Sequence, residues 1–196
     1  MSTRVIATAD PISRWRSRTC YVIAGFLVAL CIVLCATPVA AADPLGDYNV
    51  AVQLYRQNRW GLAAESFRKF LKDYPNHEKQ PFAQLYLGLT LVNQADFQGA
   101  REILRGFVKE YPQNQNLPQA KYRVAECSYL LNDLPAAKVE LQTYLKDFPN
   151  DALAERALPY LGDVLLRLNE PAAASAVFAD AVQRFPEGAL VNDAQF

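Results

Sequence analysis

The most constraining feature of the sequence is an aromatic residue followed by proline, a pair that recurs at a fixed interval. The prolines of these pairs stand at positions 75, 112, 149 and 186, so each follows the previous one by 37 residues. Regular spacing of this kind indicates repeated structural units, each of which needs its neighbours to bury its apolar face. The same interval divides the chain into four units, which cover residues 44–80, 81–117, 118–154 and 155–191.

The second half of each unit has the pattern of an amphipathic helix. In the first unit an apolar stripe with the period of a helix runs through Ala63, Phe67, Phe70, Leu71 and Tyr74. Charged side chains occupy the opposite side of this predicted helix. The proline that follows is expected to end it, because proline disfavours helical geometry in the residue before it.

The first half of each unit also predicts a helix. A large residue stands beside a small one at the same place in every unit: Val50-Ala51, Leu87-Gly88, Val124-Ala125 and Leu161-Gly162. We expect the small residue to let the two helices of a unit approach closely. Pro44, Pro81 and Pro118 suit the first position of a helix. Pro159 falls inside the expected first helix of unit four and predicts a late start or a kink there.

The first 42 residues differ from the rest of the chain. Four arginines stand near the N-terminus, and an uncharged run then extends from Cys20 to Ala42. A basic start, an apolar stretch and small residues before a cleavage site are typical of a secretory signal peptide. The run is also long enough to span a bilayer. We therefore expect residues 1–42 to be a signal peptide or a signal-anchor. Residues 43–196 would be periplasmic or extracytoplasmic, or held at the inner membrane by residues 20–42.

Composition argues against several functional classes. The chain has 20 basic and 20 acidic residues, and without the leader the balance is 16 to 19. This gives no electrostatic reason for binding nucleic acid or an anionic membrane surface. The one histidine, His77, lies in a polar turn, and Cys127 is the only cysteine outside the leader, so no catalytic or metal-binding group can be assembled from them. We predict no enzyme activity, no metal and no cofactor.

The four units resemble the tetratricopeptide repeat. That family has a small residue in the first helix, a large one near the turn, then alanine, an aromatic residue and proline. The first unit supplies these in order as Ala51, Trp60, Ala63, Phe67 and Pro75. The family period is about 34 residues, so the links here are longer. In this they are similar to the periplasmic Tol–Pal system coordinator and the outer-membrane β-barrel assembly lipoproteins. The resemblance implies an all-α fold, a right-handed α-solenoid of four helix-turn-helix repeats.

The resemblance also implies where a partner would bind. In the family, outward-facing side chains of the first helices line a concave surface and contact the ligand. The corresponding positions here include Tyr48, Val52, Tyr55, Arg56, Phe82, Leu85, Leu89, Val92, Tyr122 and Tyr129, together with Asp163 and Arg167 in unit four. Because this set is rich in aromatic and aliphatic residues, we expect apolar contacts with an extended or helical segment of a partner. The alternative for each single position is packing between units.

The sequence therefore predicts a non-catalytic protein–protein interaction scaffold in the cell envelope, with a protein or peptide as its partner. Two alternatives stay open. One is a self-associating structural or envelope-assembly subunit, a homo-oligomer formed through the alanine-rich last unit. The other is the N-terminal repeat part of a longer membrane-anchored protein. In every case we expect contact with a membrane only through an uncleaved leader.

Overall fold

The computed structural model describes residues 43–186, which form eight helices joined by short turns and contain no strand. The helices are α1 (Pro44–Arg56), α2 (Trp60–Asp73), α3 (Gln80–Asn93), α4 (Phe97–Glu110), α5 (Leu117–Leu130), α6 (Leu134–Asp147), α7 (Ala154–Arg167) and α8 (Pro171–Arg184). Each repeat unit thus supplies one pair of helices, and the prediction of an all-α repeat fold is confirmed. The expected signal peptide or signal-anchor lies outside the described residues.

The first helices of units two, three and four begin slightly earlier than the sequence pattern predicts. They start at Gln80, Leu117 and Ala154, one residue before the expected boundary. Pro81 and Pro118 therefore occupy the second helical position. Proline is tolerated there because the N–H groups of the first turn have no partner within the helix.

The late start expected at Pro159 is wrong. Helix α7 begins at Ala154 and continues through Pro159 to Arg167. A proline inside a helix removes one backbone hydrogen bond. The neighbouring side chains of Leu158 and Leu161 are buried, and most of the stability of a helix in a protein comes from packing of this kind. Packing of α7 against its neighbours therefore outweighs the local preference of the proline.

The turn inside each unit contains one residue with a left-handed backbone. The four residues stand 37 positions apart and have φ angles between 58° and 60°: Asn58, Ala95, Asn132 and Asn169. In the second unit the N–H of Asp96 donates to the carbonyl of Leu91 across this turn, at 3.0 Å. Such a bond over a left-handed residue is the Schellman ending of a helix, and it returns the chain sharply into the second helix.

The small residues of the first helices lie where the two helices of a unit approach each other. A Cβ atom added to Gly88 would stand 2.6 Å from Cγ of Leu104, on the second helix of the same unit. Ala51 and Ala125 occupy the same register and are fully buried. The close approach expected from the large-small pairs is therefore confirmed.

The units stack on one another with a regular pattern of contacts. Each second helix packs against the first helix of the next unit, as α2 does on α3, α4 on α5 and α6 on α7. The backbones of successive first helices also approach each other closely, whereas those of successive second helices do not within residues 43–186. Because the closer side of a stack forms the inside of its curve, the first helices line the inner side of this solenoid.

Candidate partner-binding surface

The first helices present a row of accessible side chains, which we call the inner face. Its members are Tyr48, Val52, Tyr55, Arg56, Phe82, Val92, Tyr129, Arg156, Asp163 and Arg167. The three arginines are exposed, and the other seven side chains are partly exposed. Asp163 and Arg167, in register with Val52 and Arg56, were expected to face outward. Arg156 was not among the expected positions, although it stands in register with Phe82, and the repeat interval alone would have found it.

Three of the expected site residues do not face outward, and that expectation is wrong for them. Leu85 is 3% exposed, Leu89 is 7% exposed and Tyr122 is fully buried. They lie on α3 and α5, the two first helices that have another first helix on both sides. The three side chains belong to the hydrophobic core instead of a binding surface.

The first half of the inner face carries aromatic rings that the core holds in place. The ring of Tyr55 meets those of Trp60 and Tyr86 edge to face, with centroids 5.2 and 5.1 Å apart. Tyr86 stacks in turn on the buried ring of Phe67, at 5.8 Å. Burial raises the pKa of the Tyr55 hydroxyl, although the nearby Asn93 acts in the opposite direction. Tyr55 is thus a firmly positioned ring with one accessible edge.

The second half of the inner face combines aromatic and charged groups. Tyr129 stacks on Tyr160 with ring centroids 4.7 Å apart, and its hydroxyl donates to Asp163 at 2.9 Å. Burial and this hydrogen bond raise the pKa of Tyr129. The guanidinium of Arg167 lies 5.7 Å from the centre of the Tyr129 ring and 3.4 Å from the carboxylate of Asp163. The polar groups of Tyr129, Asp163 and Arg167 are therefore paired with one another.

A partly buried ion pair lies on α5 beside this second half. Nη1 of Arg123 is 2.5 Å from Oε2 of Glu126, whose side chain is 7% exposed. The hydroxyl of Tyr122 also donates to Glu126, at 3.2 Å. Burial acts to lower the pKa of Arg123, but the hydrogen bond and charge of Glu126 outweigh it, so that pKa is raised. Because an unpaired charge on the buried Glu126 would be costly, Arg123 balances the charge of that side chain.

Two arginines of the inner face have no salt bridge with any other described residue, namely Arg56 on α1 and Arg156 on α7. The charges of Arg167 and Asp163 cancel, so the inner face has a net positive charge carried by these two side chains. Sequence analysis named only Arg56 of these two, because the position of Phe82 was not carried forward to Arg156 in unit four.

Some charges on the opposite side of the stack are paired between units. Three ion pairs cross unit boundaries there: Arg101–Asp133 at 2.8 Å, Arg105–Glu140 at 2.5 Å and Lys138–Glu170 at 2.6 Å. Pairs at the surface contribute little to stability one by one. They link the second helices of neighbouring units through their side chains.

Neither a membrane-spanning helix nor a metal site is found between residues 43 and 186. None of the helices there combines the length and the hydropathy needed to cross a bilayer. No cluster of three or more histidine, cysteine, aspartate or glutamate side chains in this range has the arrangement of a metal site.

Comparison with known proteins agrees with the fold. A sequence profile of the tetratricopeptide repeat matches residues 48–115, and a second profile of the same repeat matches residues 119–151. No curated protein sequence matches the chain. Among solved structures, MamA from Desulfovibrio magneticus RS-1 is 20% identical with a TM-score of 0.62, over 72% of this chain and 75% of that one.

Two further solved structures show the same likeness. MamA of AMB-1 is 17% identical with a TM-score of 0.62, over 73% of this chain and 79% of that one. PilW, described as a widely conserved type IV pilus biogenesis factor, is 21% identical with a TM-score of 0.67, over 81% of this chain and 70% of that one. At such identities these structures show a shared fold alone. Together with the two profile matches, which cover about half of the sequence, they show that the chain belongs to the tetratricopeptide repeat family.

Proposed function

We propose that this protein is a non-catalytic scaffold of the cell envelope that holds a segment of a partner protein on its inner face. Tetratricopeptide repeat proteins generally serve as interaction scaffolds. The observation that carries the proposal is the row of half-buried aromatic rings beside Arg56 and Arg156, two arginines without a salt bridge to another described residue. Tyrosine and arginine are the residues most often found as anchors of protein interfaces.

The arrangement of the inner face defines the chemistry of the partner segment. Tyr55 and Tyr129 are held by neighbouring rings, so little side-chain entropy is lost when a partner packs against them. The unpaired arginines favour carboxylates, which they bind through two parallel hydrogen bonds. The proposed partner segment therefore carries aromatic or aliphatic side chains with acidic residues close by.

The envelope location rests on the leader and is tested separately. A basic start followed by an uncharged run to Ala42 favours export. N-terminal sequencing of the protein from fractionated cells distinguishes the two forms of the leader. A start at Asp43 would indicate cleavage, and a start at Met1 in the membrane fraction would indicate an anchor. Recovery of the chain in the cytoplasmic fraction alone would contradict the location.

Site-specific photo-crosslinking tests the inner face in intact cells. A photoreactive amino acid at Val52, on the inner face, should give a defined adduct with the partner. The same amino acid at Val139, which is 62% exposed on α6, is the matched control and should not give it. Both valines have accessible side chains, so neither replacement opens the core.

Charge reversal then tests the role of the arginines in that adduct. The double variant Arg56→Glu/Arg156→Glu should lose the Val52 adduct, because it repels an acidic segment. Arg68→Glu is the control, since Arg68 is exposed on α2 and forms no salt bridge with another residue in the described range. Equal adducts from Val52 and Val139 would rule out the inner face as the binding surface, and an adduct that survives reversal of both arginines would rule out their role in binding.

A further inference from the structure

The first end of the stack exposes an apolar side chain that the interior units bury. Val50 on α1 is 54% exposed. The residues in register with it are all buried: Leu87 at 2%, Val124 at 6% and Leu161 at 4%. In each of those units the second helix of the preceding unit packs against the first helix. Within residues 43–186, α1 has no preceding unit to cover it.

The other end of the stack exposes the complementary positions. Phe178 on α8 is partly exposed. In the first three units its counterparts are completely buried: Phe67, Leu104 and Leu141. Val182 of the same helix is 47% exposed, and together with Phe178 and Leu166 it lines an open depression on this end. The depression occupies the place where the first helix of a further unit would pack.

The interior of the molecule shows how these two ends fit each other. At the boundary between units two and three, Val108 of α4 and Val124 of α5 line the same cavity. Val108 stands in register with Val182, and Val124 stands in register with Val50. The two exposed valines are therefore the counterparts of two residues that meet at an interior boundary.

We propose that copies of this chain associate head to tail, with α8 of one copy packed against α1 of the next, so that the repeat continues across the contact. Such an interface joins two different surfaces and can extend into an open chain of copies. Charge does not oppose it. At interior boundaries the bases Arg101 and Lys138 pair with the acids Asp133 and Glu170. At the two ends Ser175 stands in register with these bases and Arg59 stands in register with these acids, so the contact would not bring two like charges together there.

Crosslinking between single-cysteine variants tests this contact in the full-length chain. The background carries serine in place of Cys20, Cys31 and Cys35, while the buried Cys127 is kept. Val50→Cys and Val182→Cys are made in separate chains with different affinity tags, purified and mixed under oxidising conditions. We expect a mixed dimer that contains both tags. A single chain with both substitutions should give a ladder of larger products.

Three results would overturn the proposal. The first is absence of the mixed dimer, which would mean that another segment, such as residues 187–196, or another protein covers the end. The second is a dimer of Val182→Cys with itself at equal yield, which would indicate two identical ends in contact. The third is an equal yield from Val139→Cys mixed with either variant, which would indicate random collision.

A second substitution separates this contact from the inner face. In the partner chain, Phe178→Asp beside Val182→Cys should cause loss of the mixed dimer, because a carboxylate would be buried in the contact. Reversal of Arg56 and Arg156 should leave the crosslink unchanged. Loss of partner binding on the inner face would thus leave the mixed dimer unchanged. Absence of the mixed dimer would likewise leave the Val52 adduct unchanged.

Discussion

The left-handed turn of unit two offers the most direct test of how the sequence sets the stability of this fold. Three of the four units have asparagine at this position, and unit two has Ala95 with a φ of 60°. A left-handed backbone costs a residue with an ordinary Cβ roughly 1–2 kcal/mol. Asparagine adopts that region more readily, because its short polar side chain bonds locally. Ala95 therefore holds a strain that its counterparts avoid.

The size of the effect follows from the exposure of the site. The side chain of Ala95 is exposed, so its replacement changes no packing in the core. We expect Ala95→Asn to raise the free energy of unfolding by about 1 kcal/mol, most of the strain that alanine carries there. For a chain of this size, that gain should raise the melting temperature by about 2–4 °C. Asn132→Ala should lower the stability by a similar amount.

Urea denaturation followed by far-UV circular dichroism measures both changes. Ala176→Asn is the matched control, because Ala176 is exposed within α8 and the same substitution there should cost about 0.7 kcal/mol of helix propensity. If asparagine raises the free energy of unfolding at position 95 and lowers it at position 176, the left-handed backbone at Ala95 is confirmed as the cause. If Ala95→Asn is neutral or destabilising, the left-handed turn does not carry the strain that its φ angle indicates.

Two further predictions concern the core. Gly88→Ala should lower the free energy of unfolding by about 1 kcal/mol, because overpacking against Leu104 costs about 1–3 kcal/mol and better helix propensity returns about 1. In a Leu104→Ala background the same change should raise stability, and equal effects in both backgrounds would refute the close contact. Burial raises the pKa of Cys127 to about 12, so its thiol should resist alkylation at pH 8 until the chain is denatured. The thiol of the unfolded chain deprotonates at a lower pH than the buried thiol of the folded chain. The free energy of unfolding should therefore fall above about pH 9, and it should fall less in Cys127→Ala. Rapid alkylation of the native thiol would contradict this.

The repeat pattern by itself predicted the helices and most of their buried side chains. Ala63, Phe67 and Phe70 recur at the period of a helix, and all three are buried in α2. The proline after each second helix limited its length, and the small residue at Gly88 indicated where the helices touch. These features depend on neighbours within one unit, so local periodicity is enough to find them.

The composition of the inner face could not be predicted in the same way. Tyr122 and Tyr129 stand in the same helix seven residues apart, yet Tyr122 is fully buried and Tyr129 is partly exposed. The difference arises because Tyr122 packs against Tyr144 on the second helix of its own unit, whereas Tyr129 turns toward Tyr160 of the next unit. No sequence interval distinguishes these two environments.

What the sequence determined, then, is the fold of each unit and its register, because helix periodicity, small residues and turn residues act over a few positions along the chain. Only the tertiary structure decided which side chains of the first helices stay accessible and which charges stay unpaired. Accessibility depends on how closely successive first helices approach. That distance is set by packing between residues about 30 positions apart, as in the ring pairs Tyr55–Tyr86 and Tyr129–Tyr160.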